Sequence, residues 1–166
     1  MLDLFRKTIY AANQYMVKIA LLLMLLMMFA TVADITGRMF FRPIPGIFEL
    51  TRYSLAVIVF TSLGYGQLHK VHIAIDLFFS KFPVIIQRIV EVFIYLLALV
   101  TFSLAFWQMM VYAGRLYDTG LITTVLRMPV FPFVFVSAIA VLFFNLALLS
   151  DLIEAVRKLI KGGEKK

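Results

Sequence analysis

The chain holds 166 residues, 63% hydrophobic and only 15% charged, with a mean hydropathy of +1.00, whereas soluble domains are about 45–50% apolar. A soluble domain of this size leaves roughly 30% of its unfolded surface in water, so this chain would expose apolar side chains in sheets and aggregate; its solvent is lipid. Sixteen basic residues against nine acidic ones give +7, which beside apolar spans speaks for membrane topology and contact with anionic lipids, not for nucleic acid.

Residues 1–18 carry Leu2, Phe5, Ile9, Ala12 and Met16 at helical spacing, with Asp3, Arg6, Lys7, Asn13 and Gln14 on other faces. The pattern predicts an amphipathic helix on the membrane surface. Residues 19–39 follow as a first span, long and apolar, with Asp34, Thr36 and Arg38 toward its interface. The stretch lacks a small-residue cleavage site and reads as an uncleaved helix. Arg42-Pro43-Ile44-Pro45-Gly46 then breaks the helix, because neither proline donates a backbone hydrogen bond and the glycine permits a sharp turn.

A second span covers residues 48–68 and opens with Glu49 and Arg52. Beyond it lie His69, Lys70, His72, Asp76, Lys81 and Arg88 among apolar neighbours, and residues 73–88 suit the membrane surface. A third span is expected over residues 89–113, with Trp107 and Tyr112 toward its far end, and a fourth over residues 128–150. Between them runs a loop holding Arg115, Asp118, Gly120 and Arg127. Residues 151–161 alternate charge with apolar side chains as a last amphipathic helix before a basic tail.

The expected fold is therefore an all-α integral membrane protein, a single four-helix membrane domain with interfacial amphipathic helices. Four spans put both termini on one side. The N-terminal segment, the central segment and the tail together hold eleven basic residues, against five (Arg38, Arg42, Arg52, Arg115 and Arg127) on the other side. That asymmetry places the termini in the cytoplasm.

Chemistry-bearing residues are sparse. With no cysteine there is no disulfide, thiolate nucleophile or cysteine-held zinc or iron–sulfur cluster. Glu49 and Arg52 stand three residues apart at a membrane edge, where an ionisable group needs a partner. They suit an interfacial ion pair, a contact with another subunit, or both; one carboxylate makes a poor cage for a transported cation. His69 and His72 are the only histidines. Their closeness disfavours haem held across the bilayer, and zinc would find only Asp76 nearby. The many Phe and Met residues are explained by lipid contact and helix packing more simply than by a quinone pocket. No phosphate-binding glycine loop, nucleophile with its base, or paired carboxylates are present. The expectation is a non-enzymatic accessory subunit without metal or cofactor. The rival readings are a haem- or quinone-associated respiratory anchor and a small oligomeric exporter.

Gly37-Arg38, the Pro43–Gly46 turn, Glu49-Leu50 with Arg52-Tyr53, Gly64, and His72-Ile73-Ala74-Ile75-Asp76 resemble, in their order, the small membrane subunit (Q component) of tripartite ATP-independent periplasmic transporters, the TRAP family. The resemblance implies a sodium-driven uptake system for organic acids in the cytoplasmic membrane of bacteria or archaea. Its partners would be a large multi-span subunit that moves like an elevator, a periplasmic substrate-binding protein and membrane lipids. Sodium and substrate sites belong to the large subunit, so none is carried onto this chain. Arg38, Glu49 and Arg52 are candidates for contact with the large subunit on the outer side, and His72 and Asp76 on the inner side.

Overall fold

A computed structural model describes residues 2–40, 42–68 and 84–163. Four helices make up the fold: α1 (Leu2–Phe40), α2 (Ile47–Leu68), α3 (Val84–Thr119) and α4 (Phe131–Gly163). All four are long and apolar enough to cross a membrane, and the expected all-α architecture is the one found. Among the described residues the one β pairing is an isolated bridge between Ile122 and Pro129.

The helices run past the bounds that hydropathy suggests. No proline interrupts the chain before Pro43, so the N-terminal amphipathic stretch and the first span form one helix of 39 residues, about 58 Å long at 1.5 Å per residue. α3 likewise continues to Thr119, and α4 carries the stretch 151–161 as its own last turns. α4 starts at Phe131, because Pro129 is taken up by the bridge to Ile122. Pro132 then sits in the first turn, where a missing N–H costs nothing. Of the surface segment expected at residues 73–88, residues 73–83 lie outside the described residues, and the rest is the start of α3.

α4 is the central helix. It packs against α1, α2 and α3, while α1 packs on α2 and the main neighbour of α3 is α4. Burial follows the same order: 44% of the apolar window of α4 is buried and none of the corresponding window of α3. Small side chains make this possible. Ala138, Ala140, Ala147 and Ala155 are buried along α4 beside Val141, Phe144 and Leu148, and small residues let neighbouring backbones approach where lipid supplies no hydrophobic drive.

Polar groups fasten the helices at two depths. Asn145 of α4 donates to the carbonyls of Phe102 (3.1 Å) and Val141 (3.0 Å) and accepts from the Ser103 hydroxyl at 3.2 Å. Nearer the termini, the buried Gln67 amide donates to Asp151 at 2.8 Å, tying α2 to α4. One turn away, Asn13 of α1 is buried against Gly64, where a Cβ would overlap its amide oxygen. Glycine at 64 thus lets α1 and α2 close at this end.

Candidate functional site

At the opposite end of the bundle the two interhelical loops are held by carboxylates of the helices. Asp34 is buried near the end of α1. One of its oxygens accepts the backbone N–H of Ile44 at 2.8 Å, and the other takes the guanidinium of Arg38, one turn on, at 2.8 Å. The Pro43–Gly46 turn is therefore fastened to the helix that precedes it.

Glu49 does the same for the longer loop. Its carboxylate accepts the backbone N–H groups of Val125 (3.0 and 3.2 Å) and Leu126 (3.1 Å). That loop is a small hairpin in which Thr123 N–H donates to the Met128 carbonyl (2.9 Å) and Val130 N–H to the Leu121 carbonyl (3.1 Å). The Thr123 hydroxyl in turn accepts the Met128 N–H at 3.1 Å. Arg127 stands between these bonds in the left-handed region, at φ 52°. A non-glycine residue persists there only when its neighbours fix it; Leu126 and Met128 are both bonded.

The loops also touch each other. Gly46 has φ 82° and lies against the Leu126 side chain, which occupies the space a Cβ would need. Tyr53 stacks on Phe133 with ring centroids 5.4 Å apart, and Tyr117 packs edge-on against Phe131 at 5.3 Å. All four helices thus contribute to one fixed surface. Phe48, Ile122 and Val125 are exposed on it, as are Arg42, Arg52, Arg115 and Arg127.

Sequence-predicted residues find different roles here. No ion pair joins Glu49 to Arg52 among the described residues; Glu49 holds the hairpin, and the Arg52 guanidinium lies over its neighbour Tyr53, 5.9 Å from the ring centroid. Arg38 is paired inside α1 yet exposed. His72 and Asp76 lie outside the described residues. Sequence reasoning missed Asp34 as the holder of the Pro-Gly turn. Its signal is a carboxylate inside an apolar span with an arginine four residues later, a spacing that pairs on a helix.

We expect Glu49→Gln to loosen the hairpin, since the neutral amide loses the charge assistance of the carboxylate and one of the two oxygens that Val125 N–H now reaches becomes an NH₂ donor. Hydrogen exchange at Val125 and Leu126 should then rise by about tenfold or more. Unchanged exchange would show that the hairpin is held without Glu49.

Residues 27–158 match the family model described as Tripartite ATP-independent periplasmic transporters, DctQ component. No curated protein and no solved structure matches the chain.

Proposed function

Since this chain belongs to the DctQ component family of tripartite ATP-independent periplasmic (TRAP) transporters, and is thus the small membrane subunit of such a system and a multi-pass inner-membrane protein, we propose that it serves as a fixed companion to a large transporting subunit. The observation that carries this reading is the pair of carboxylate clamps. Asp34 and Glu49 turn two loops into a rigid surface, and the described spans offer no charged path through the bilayer. A body of this kind resists tilting while a neighbour moves.

The same reading assigns the termini to the cytoplasm and the clamped loops to the outer side. There Arg42, Arg52, Arg115 and Arg127 are exposed against a single exposed carboxylate, Asp118, whereas Asp34 is buried and Glu49 is bonded to backbone. This surface suits a periplasmic binding protein that presents carboxylates at its docking face, charge attraction raising the rate of encounter. The cargo is an organic acid, a carboxylate, and the driving force a sodium gradient acting on the large subunit.

Proteoliposomes containing the large subunit, with and without this chain, test the reading with a loaded binding protein and an inward sodium gradient. Uptake of labelled carboxylate should require the chain and stop when the gradient is collapsed. Arg52→Glu with Arg127→Glu should slow uptake at low binding-protein concentration and much less at saturation. Full uptake without the chain would remove the companion role, and uptake indifferent to sodium would remove the proposed driving force.

A further inference from the structure

Where α1, α2 and α4 meet, in the half of the bundle next to the clamped loops, their side chains enclose a groove of about 320 Å³ that is open on one side. Leu23 and Met27 of α1, Leu50 and Val57 of α2, and Phe133 and Val136 of α4 form its walls. One polar side chain lines it. Ser54 is buried, at 2% exposure, and its hydroxyl bonds to nothing among the described residues. Other helix hydroxyls behave differently: Thr51, Ser62 and Ser137 donate to the carbonyls of Ile47, Ile58 and Phe133, four residues back, at 2.9, 2.8 and 2.8 Å. Buried polar groups are hydrogen-bonded as a rule, so Ser54 calls for an acceptor that comes with the occupant of the groove.

The depth of Ser54 identifies that acceptor. Tyr53 stacks on Phe133 and Tyr117 meets Phe131, which brings the exposed Arg52 and Arg115 to nearly the same level. Exposed arginines and tyrosines of membrane helices mark the head-group region. Ser54 lies two residues further along α2, about 3 Å deeper, where the ester groups of phospholipids join heads to tails. From Leu50 to Val57 the groove runs about 10 Å along the helix axis, within the roughly 15 Å that the hydrocarbon of one leaflet occupies. A spanning helix, about 10–12 Å across, is too wide to enter. An apolar side chain of a neighbouring protein would fill the space but bring no acceptor, and a quinone would bring two carbonyls to a wall with one hydroxyl.

We propose that this groove is a binding site for a glycerophospholipid of the leaflet on the loop side, with one ester carbonyl accepting the Ser54 hydroxyl and the attached acyl chain lying against Leu23, Met27 and Val57. The acyl chain gives these walls a fixed set of dispersion contacts. It also joins two helices that touch only lightly, since the contact between α1 and α4 is the slightest of the helix contacts described above. The site stands independently of the companion role.

The complex with the large subunit, reconstituted in vesicles of phosphatidylethanolamine and phosphatidylglycerol, supplies the test. A trace of ester-linked phosphatidylglycerol with a diazirine in one acyl chain is photolysed, and its adducts are mapped by mass spectrometry. They should concentrate on Leu23, Met27, Val57 and Val136 over the exposed Leu22 and Phe29 of α1. An ether-linked probe with the same head and chain should label the groove roughly three- to tenfold less, the range one hydrogen bond supplies in a membrane, and Ser54→Ala should erase that difference. Val136→Trp, at the open side, should cut the groove adducts by about tenfold or more, the loss of a few methylene contacts, without changing those at Leu22 and Phe29. Adducts no denser in the groove than at Leu22, or equal labelling of the unsubstituted chain by ester and ether probes, would overturn the site. Groove adducts that form in the chain alone and vanish in the complex would also overturn it, assigning the groove to a side chain of the large subunit.

Discussion

Gly46→Val should cut uptake sharply without removing the protein from the membrane. Two independent effects act at this position. Gly46 has φ 82°, a conformation that costs an L-residue about 1–2 kcal/mol and a β-branched one more. The new side chain would also displace Leu126, which fills the space beside the glycine. Leu126 cannot retreat freely, because its own N–H is bonded to Glu49. The strain therefore passes into the hairpin and opens the surface formed by both loops. We expect the initial rate of transport to fall by at least about tenfold, with helix content unchanged by circular dichroism. The double variant Gly46→Ala with Leu126→Ala relieves the overlap and keeps the backbone strain, and should recover part of the rate. Full activity of Gly46→Val would mean that the loops are free to rearrange.

A second large effect is expected at the centre of α4. Ala147 is fully buried on the helix that packs against the other three. Ala147→Phe inserts a ring at a position whose surroundings enclose only a methyl group, an overpacking that costs about 1–3 kcal/mol or more in tight interiors. The bundle should lose its cooperative thermal transition in detergent and be cut rapidly by protease. Leu142→Phe on the same helix, where the side chain is 39% exposed, is the control and should change stability by no more than about 0.5 kcal/mol. Equal behaviour of the two variants would show that α4 is not the packing centre.

Hydropathy and the prolines make the four helices and the Pro-Gly break readable in the amino-acid sequence, because lipid enforces long apolar runs and proline cannot continue a helix. What hydropathy does not reveal is which helix is central. The runs of α3 and α4 are equally apolar, with a hydropathy of 2.4 in each, yet one is buried by its neighbours and the other is not. The alanines of α4 are the visible trace of that difference.

Glu49 shows a second limit. Its nearest opposite charge in the chain is Arg52, and local spacing suggests a pair. The carboxylate instead takes two N–H groups from a hairpin 76 and 77 residues away. Fixed backbone donors win over a flexible exposed side chain, whose ordering entropy cancels most of the gain from a surface ion pair.

The central position of α4 also bears on how the protein is made. Synthesis proceeds at about 5–20 residues per second, so α1, α2 and α3 enter the membrane several seconds before the helix that gathers them. During that interval α1 and α2 can pair through Asn13 and Gly64, whereas α3 has no established mate in its own chain. Its exposed side chains are then open to whichever helix meets them first. A chain whose organising helix emerges after the other three is poised to find its partner while it is still being built.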